Sequence, residues 1–294
     1  MNLEEQLAAW TGPSSSTEQD KQDRTERMVR DAIAAHAPFD KCEMKVYAKG
    51  SYANNTNVRA DSDVDIAVEC TECCYWTEQA KGDHPDGDAY SGIWTPTKLR
   101  AELAAALEAK FPDQVDASGS IAIGVEASTA RVDADVVPCF SSKHYFSSGA
   151  VREGTKVFST SGQGFNNYPA QQLANGRDKN VATGGRYKNV VRILKRVGNA
   201  MVEAGTHREV PSFFVECIAY NCPDVALNEL TWKERVKACL VHVWSELEGA
   251  EPDEESKRWL EVNQIKYLFH DSQKWTREDG RDFAGAAWKH LGLE

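Results

Sequence analysis

Residues 50–68 read GSYANNTNVRADSDVDIAV. This stretch puts three aspartates, Asp61, Asp63 and Asp65, within five residues, directly ahead of an apolar run. Successive side chains on a strand point to opposite faces, so Asp63 and Asp65 share one face and Val64 turns to the other. Two carboxylates on one face can chelate a hard divalent cation, and Mg²⁺ favours such ligands together with water and phosphate oxygens. A solvated acidic turn is the alternative, because D-x-D alone is a common pattern.

Gly50 and Ser51 strengthen the case for a phosphate-binding site. They stand between a strand predicted for residues 42–48 and a short helix, at a turn that lacks a Cβ. Such a turn lets backbone N–H groups and a hydroxyl approach a phosphate closely. Their position ahead of the paired carboxylates therefore indicates a site for a metal-bound phosphate.

A second aspartate pair lies in a later stretch, RVDADVVP, at residues 131–138. A strand is predicted over residues 130–137, which puts Asp133 and Asp135 on a common face. Aspartates in an otherwise apolar strand are costly to bury unless they are paired or bound to metal. A third carboxylate is what a two-metal phosphoryl-transfer site requires. Strand geometry does not choose between the two, and Asp135 is favoured because it lies nearer the strand end.

The composition of the chain limits which classes of protein it can belong to and which ligands it can bind. The chain has 294 residues, 41% of them hydrophobic, which suits one large globular domain or two lobes. The net charge of −11 argues against broad binding to nucleic acid. The sequence holds no apolar run long enough to span a membrane, and its amino terminus lacks the layout of a secretory signal. We therefore expect a cytoplasmic protein that binds no membrane.

The eight cysteines occur at irregular spacings, several of them inside apolar stretches, as expected of reduced and buried thiols. Cys70, Cys73 and Cys74 contain the C-x2-C spacing that can open a zinc site, but His84 is the one further ligand nearby in the sequence. We interpret these cysteines as a strand end and the loop that follows it.

The order of predicted elements divides the chain at about residue 150. Before that point, helices alternate with strands: a helix over 16–36 capped by Ser15, a short strand over 64–68, a surface loop over 75–94 and a helix that opens at Thr95-Pro96 and runs to Lys110. Residues 147–185 are rich in Gly, Ser and Asn, and this composition predicts little regular structure. Helical patterns follow, over 186–204, 212–221, 231–247, 256–270 and 276–290.

This order predicts the α+β fold class. We expect an amino-terminal lobe with a mixed β-sheet over residues 1–150 and a mainly helical nucleotide-binding lobe over residues 151–294. The active site is expected in the cleft between the two lobes.

Five blocks of sequence, in order over roughly residues 47–224, carry a resemblance to a known family. They read KGSYANNTNVRADSDVDIAV, ADVVPC, NNYPAQQLANGRDKN, RYKNVVRILKRV and VPSFFVECIAYNCPD. The chain resembles the polymerase-β-like nucleotidyltransferase superfamily and, within it, is similar to the bacterial cGAS/DncV-like nucleotidyltransferases, relatives of cyclic GMP-AMP synthase and oligoadenylate synthetase. The resemblance implies their fold, with Asp63, Asp65 and Asp135 as the catalytic metal ligands.

Three cations of the later blocks, Lys188, Arg192 and Lys195, fall on one face of a predicted helix. A solvated basic face is the alternative to a phosphate site. By the resemblance, Lys195 and Ser212 match positions that hold the donor triphosphate. Phe213 matches a position, often tyrosine in relatives, that stacks on a base, and core packing is its alternative.

Asn166, Asn167 and Tyr168 lie in the predicted irregular segment. Asparagine can donate to and accept from a base edge, although an asparagine that supports a turn is the commoner case. We expect base recognition by one of these residues, with Asn167 taken as the candidate. Relatives with such a segment accept UTP, so the resemblance implies a product that contains a pyrimidine, most readily uracil.

The resemblance also implies function and partners. Such enzymes make cyclic or linear oligonucleotide second messengers from nucleoside triphosphates, here ATP, UTP or GTP, typically in anti-phage defence (CBASS). Two Mg²⁺ ions are expected, with Mn²⁺ as a substitute. A separate effector protein would read the product, and the synthase itself is expected to be a monomer.

Two alternatives stay open. One is nucleotide transfer to another acceptor, such as RNA or an antibiotic, and the net acidity argues against the RNA version. The other is a protein that keeps the fold and binds nucleotide without turnover. The complete aspartate set argues against it.

Overall fold

The computed structural model describes residues 2–58, 63–84, 90–271 and 273–293. Asp61 lies outside these residues, as does part of the loop predicted over 75–94. The chain forms two compact units, which we call the sheet unit (Ser15–Tyr52 and Arg59–Pro169) and the helical unit (Met1–Ser14, Ala53–Val58 and Ala170–Glu294).

The sheet unit is built on a seven-stranded mixed sheet. Its strands are β1 (Met44–Ala48), β2 (Val64–Glu78), β3 (Val115–Asp116), β4 (Ile123–Val125), β5 (Ala134–Tyr145), β6 (Val151–Phe158) and β7 (Gly164–Asn167). The order is β1-β2-β5-β4-β3, with β6 and β7 added beside β5. The β2–β5 pair is parallel and the other pairs are antiparallel. The predicted α+β class is confirmed.

Helices cover one face of this sheet. These helices are α2 (Ser16–Ala34) and α4 (Pro96–Lys110), while the short helix α3 (Gly50–Ala53) directly follows β1. Ser15 caps α2 and Thr95 caps α4, each accepting a hydrogen bond from the backbone three residues on, as predicted. Leucines of α4 share one hydrophobic core with the even-numbered residues at the start of β2 and β5, such as Val64 and Val136. The odd-numbered residues, including the aspartates, therefore lie on the opposite face.

Both central strands are longer than the sequence predicts. β2 continues to Glu78 and β5 to Tyr145, and the two stay paired over this length with a register shift between Cys70 and Cys74. The interpretation of Cys70, Cys73 and Cys74 as a strand end and loop is therefore wrong. A bulge lets a strand absorb extra residues without ending, and a local pattern does not show this.

The predicted boundary at residue 150 also differs from the structure. β6 and β7 form an antiparallel extension on β5, so the sheet unit runs to Pro169. In addition, residues 53–58 belong to the helical unit although they lie between two strands of the sheet unit. Long-range hydrogen bonds decide both features, and composition does not reveal them.

The helical unit contains α1 (Leu3–Ala9), α5 (Pro169–Ala182, from its second residue), α6 (Arg186–Glu203), α7 (Ser212–Asn221), α8 (Asp224–Leu227), α9 (Trp232–Glu246) and α10 (Arg277–His290). The predicted helices over 186–204, 212–221, 231–247 and 276–290 are confirmed to within two residues at each end. Their apolar faces form one core that includes Tyr187, Phe214 and Phe283.

The helix predicted over 256–270 is wrong. This stretch holds a 3₁₀ turn, Glu255–Lys257, and an isolated bridge between Leu260 and Tyr267. Asn263 Oδ1 accepts hydrogen bonds from two backbone N–H groups that follow it, so its side chain closes a turn in place of a helical bond. Among the described residues, no helix is long and apolar enough to cross a membrane.

Candidate functional site

The two aspartates of separate strands meet in the sheet. Asp65 of β2 and Asp135 of β5 are direct partners in the parallel register. Neighbouring strands lie about 4.8 Å apart, so two side chains in register on one face stand next to each other. Asp63 directly precedes β2 and has the same parity as Asp65. The structure thus makes Asp65 and Asp135 neighbours and places Asp63 two residues before Asp65 in the chain.

The electrostatics of this cluster are those of crowded like charges. Burial raises the pKa of Asp135, and the negative charge of Asp65 raises it further, while Lys49 opposes the shift. Burial also raises the pKa of Asp63, with contributions from the charges of Asp135, Asp133 and Asp65. Asp63 and Asp135 are therefore easier to protonate than a free aspartate, and a cation placed among the carboxylates would be stabilised.

Lys49 supplies a positive charge beside the cluster, and its role was not predicted from the sequence. Its Nζ lies 3.2 Å from Asp65 Oδ1. Its backbone N–H donates to the carbonyl oxygen of Asp65 at 2.8 Å. The sequence contained a pattern that points to Lys49, because a lysine directly after the first strand lies beside the start of the second strand in an antiparallel pair.

Gly50 packs against the carboxylate of Asp65. Its φ of +68° lies in the left-handed region, and a Cβ at this position would collide with Asp65 Oδ2. Both observations require glycine here. Ser51 follows in α3 and is half-buried. The backbone of the predicted phosphate turn therefore lies directly beside a predicted metal ligand.

Asp133 is engaged elsewhere. It lies just before β5, and its Oδ1 accepts a hydrogen bond from the backbone N–H of Ala127 at 2.6 Å. Burial lowers the pKa of the Arg131 guanidinium, and the charge of Asp133 opposes that shift. Asp133 thus supports the loop ahead of β5, which favours Asp135 as the third ligand.

The donor set suits a hard cation. Asp65 and Asp135 offer oxygen ligands only, and Mg²⁺ needs one or two protein carboxylates when water and phosphate complete its shell. In the part of the chain that the structure describes, no three His, Cys, Asp or Glu side chains are already grouped to hold a metal ion. The described cysteines are all free thiols, and they belong to no such group. The Mg²⁺ requirement stays a prediction.

The cations of α6 are mostly turned inward. Arg192 is 6% exposed, and its guanidinium donates to the carbonyl oxygens of Thr11 and Asn55 at 2.5 Å each. Lys195 is 4% exposed, and its Nζ donates to the carbonyl oxygen of Thr56 at 3.1 Å and lies 3.6 Å from Glu216 Oε2. Neither head group is presented as an exposed phosphate ligand, so the structure does not support the predicted triphosphate contact of Arg192 and Lys195.

Lys188 differs from the other two. It is half-buried, and among the described residues its ammonium makes no hydrogen bond or ion pair. Burial lowers its pKa, while the charge of Glu216 opposes that shift. Of the three predicted cations, Lys188 is the one whose charge remains available to a ligand.

Two further predicted residues open α7. Ser212 is its first residue and is exposed. Phe213 is half-buried, packs against the core of the helical unit and meets Trp275 edge to face at 6.2 Å. This packing agrees with the alternative proposed for Phe213, and base stacking by it stays a prediction.

The asparagine segment is a strand and not an irregular region. Asn166 and Asn167 end β7, paired with Lys156 and Thr155 of β6. Asn167 is exposed, whereas the buried Oδ1 of Asn166 has no hydrogen-bond partner among the described residues. Base recognition in this segment stays a prediction, and the unpartnered oxygen makes Asn166 the stronger candidate of the two.

The fold is that of a nucleotidyltransferase. A structure of the c-UMP-AMP synthase CdnE of Rhodothermus marinus, with Apcpp and Upnpp, superposes with a TM-score of 0.84 at 25% identity over 99% of this chain and 98% of that one. A cyclic dipyrimidine nucleotide synthase CdnE of Legionella pneumophila is 33% identical over 99% of this chain and 98% of its own. A cyclic dipurine nucleotide synthase of Elizabethkingia meningoseptica is 30% identical over 99% of each.

Residues 174–292 match the model of the cGAS/DncV-like nucleotidyltransferase C-terminal helical domain. The chain therefore belongs to the cGAS/DncV-like nucleotidyltransferase family. The resemblance stated from the sequence is confirmed.

Proposed function

We propose that this chain joins nucleoside triphosphates into a cyclic oligonucleotide with release of pyrophosphate. The observation that carries the proposal is the parallel register of Asp65 and Asp135, with Asp63 beside them, in a chain similar over its whole length to cyclic nucleotide synthases. The substrates proposed are ATP, UTP or GTP, since the structure of the Rhodothermus marinus enzyme contains Apcpp and Upnpp and that of the Elizabethkingia meningoseptica enzyme contains GTP and Apcpp.

The three aspartates would hold the metal ions. In two-metal sites Mg²⁺, or Mn²⁺ in its place, neutralises charge on the triphosphate and lowers the pKa of the attacking hydroxyl. Lys49 limits the repulsion between the carboxylates, and Gly50 lets the backbone approach Asp65 without a Cβ between them. Lys188 offers a half-buried ammonium, which would bind a phosphate oxygen through a charge-assisted hydrogen bond.

We further propose that the product contains at least one pyrimidine, most readily uracil. Two of the three relatives named above make products with a pyrimidine, and the third is a dipurine synthase. The biological role proposed is anti-phage signalling (CBASS) by a cytoplasmic monomer, with a separate effector protein that reads the product. This role rests on the family alone.

The test is turnover without an added acceptor. The purified chain is incubated with labelled ATP, UTP, GTP and CTP and with Mg²⁺ or Mn²⁺, then treated with phosphatase, and the products are resolved by mass spectrometry. We expect a phosphatase-resistant product with the mass of a cyclic oligonucleotide, absent when EDTA is added and absent with Asp65→Asn.

Each other outcome has a distinct meaning. Turnover that depends on an added RNA or small-molecule acceptor would favour transfer to another acceptor. Nucleotide binding without turnover would favour an inactive relative. A cyclic product that contains only adenine and guanine would contradict the pyrimidine proposal and leave the synthase proposal standing.

A further inference from the structure

The segment Asn54–Asn55–Thr56–Asn57, which we call the polar clamp, joins two parts of the proposed catalytic site along the chain. Ser51 lies three residues before it and Asp63 six residues after it. The clamp nevertheless belongs to the helical unit, whereas the residues before Ala53 and after Val58 belong to the sheet unit. The chain therefore leaves the sheet unit and returns to it between the phosphate turn and the first metal ligand.

Glu216 of α7 forms the centre of the contacts made by the polar clamp. Its Oε1 accepts a hydrogen bond from Asn54 Nδ2 at 3.1 Å, and its Oε2 accepts one from Thr56 Oγ1 at 2.8 Å. Lys195 Nζ lies 3.6 Å from the same Oε2 and donates to Thr56 Oγ1 at 3.3 Å. One carboxylate thus binds two side chains of the clamp and is neutralised by a lysine that also binds the clamp.

The remaining residues of the clamp are fixed as well. Arg192 donates to the carbonyl oxygen of Asn55, whose φ of +52° is unusual for a residue other than glycine. Asn57 Nδ2 donates to Ser14 Oγ at 2.9 Å. Every residue of the clamp therefore has a side-chain or backbone hydrogen bond to the helical unit.

This network is buried, and burial makes its polarity costly. Thr56 is fully buried, and Glu216 is 2% exposed. A buried ion pair contributes little net stability compared with apolar side chains of the same volume, because both charges lose their hydration. Hydrogen bonds and a charge pair are directional, so they fix one arrangement of the backbone where apolar contacts allow several.

We infer that Lys195 and Glu216 are positioning residues, which hold the polar clamp and thereby fix the covalently linked turn at Gly50-Ser51. The inference rests on the proposed function. It assigns Lys195 a role other than the triphosphate contact that the resemblance implies.

The two roles of Lys195 predict different kinetics. Loss of a phosphate ligand weakens substrate binding, so it raises KM for the nucleotide. Loss of a positioning residue leaves the ligands present but misplaced, which lowers kcat by about 10- to 100-fold when the displacement approaches 1 Å. A purely structural role would lower Tm and leave kcat unchanged at a temperature where the protein is fully folded.

The experiment is a double-mutant cycle of Lys195→Met and Glu216→Gln, assayed for nucleotide turnover below the onset of unfolding. We expect each single variant to lower kcat by about tenfold or more with KM within about twofold of wild type. The double variant removes both buried charges, so it should lose less kcat than Lys195→Met alone. Lys188→Met should instead raise KM, and Asp224→Asn, at an ion pair with Lys179 in the same unit whose carboxylate is 50% exposed, is the matched control without an effect on kcat.

Two results would overturn the inference. One is a raised KM with unchanged kcat for Lys195→Met, equal in the wild-type and Glu216→Gln backgrounds, which would make Lys195 a phosphate ligand. The other is a lower Tm for the variants with both kcat and KM unchanged.

A second readout does not depend on turnover. Amide hydrogen exchange over residues 50–58 should be slow in wild type and faster in Glu216→Gln, with α9 unchanged. Unchanged exchange over 50–58 would contradict the inference even if the chain proved to be inactive. Faster exchange in an inactive chain would contradict the proposed function and not the clamp.

Discussion

The aspartate cluster of the sheet unit and the polar clamp of the helical unit both contain several charged side chains, but these charges are balanced differently in the two places. In the cluster, Asp65 and Asp135 are neighbours of like charge, and Lys49 is the cation beside them. In the clamp, Glu216 and Lys195 have opposite charges and share hydrogen-bond partners in Thr56. An excess of like charge at a half-buried position favours the binding of a ligand. A charge that is already paired and buried fixes the backbone instead.

The comparison predicts opposite effects on stability when a charge is removed. Neutralising a carboxylate of the cluster relieves repulsion, so the folded state should gain stability in the absence of metal. Neutralising a carboxylate of the clamp leaves a buried ammonium without its partner, so the folded state should lose stability.

The largest effect is expected on activity at the cluster. A metal ion contributes several kcal/mol of transition-state stabilisation, and each 1.4 kcal/mol changes the rate about tenfold, so Asp63→Asn, Asp65→Asn and Asp135→Asn should each lower turnover by roughly 100-fold or more. Asp133→Asn should keep measurable activity, since Asp133 bonds to the Ala127 N–H. Initial rates of product formation measure this. Activity in Asp135→Asn together with none in Asp133→Asn would reverse the assignment of the third ligand.

The next effect is on the stability of the clamp. Glu216→Gln should lower the free energy of unfolding by about 3 kcal/mol, the lower end of the range for loss of one partner of a buried ion pair, because glutamine keeps part of the hydrogen bonding. Urea unfolding followed by circular dichroism measures it. Asp224→Asn, at a pair whose carboxylate is 50% exposed, should change the free energy of unfolding by less than about 1 kcal/mol. Equal losses for the two variants would remove the distinction between the clamp and an ordinary surface pair.

A smaller effect of opposite sign is expected for Asp135→Asn. The pKa of Asp135 is raised in the folded state from its ordinary value of 3.8, so the folded protein binds this proton more readily than the unfolded chain. Stability in the absence of metal therefore falls as pH rises from about 3.8 through the raised pKa. At neutral pH, Asp135→Asn should raise Tm by a few degrees at most, and this gain should vanish at a pH below the ordinary value.

Thermal melts at several pH values, with EDTA, measure this gain. In the same melts Mg²⁺ should raise Tm of wild type more than that of Asp135→Asn, because a ligand stabilises only a state that binds it. A lower Tm for Asp135→Asn at neutral pH would show that the Asp135 carboxylate stabilises the folded state more than its repulsion from Asp65 destabilises it.

The smallest effect is expected for Lys49→Met. The positive charge of Lys49 opposes the rise in the pKa of Asp135, so its removal should raise that pKa further. The acid limb of the pH profile of kcat/KM should move to higher pH, with turnover retained at alkaline pH. Lys45→Met, at an exposed position earlier in the chain, on β1, is the control. An unchanged acid limb would mean that metal binding, and not protonation of the cluster, limits activity at low pH.

Local pattern predicted much of the fold correctly. The caps at Ser15 and Thr95 and the helices that begin near residues 186, 212, 231 and 276 follow from side chains close in the sequence. The failures lie where distant residues intervene. The run of residues 256–270 has a helical pattern, but Asn263 closes a turn there, and β2 continues past its apolar core because β5 continues to pair with it.

The candidate site divides in the same way. The sequence placed Asp63 and Asp65 on one face, and it placed Lys188, Arg192 and Lys195 on one helical face. It did not show that Arg192 and Lys195 face inward, because helical periodicity states which residues share a face and not what that face meets. Glu216, inside the apolar stretch of α7, went unnoticed for the same reason.

The shared face of Asp63 and Asp65 follows from the sequence alone, because covalent geometry sets the period of side chains along a strand. The glycine of the phosphate turn and the family follow from the motifs around them. The long-range pairings follow from tertiary packing: Asp65 meets Asp135, seventy residues away, and Lys195 and Glu216 meet Thr56. These pairings depend on which strands and helices pack together. That choice comes from burial and hydrogen bonding over the whole chain, and no short stretch contains it.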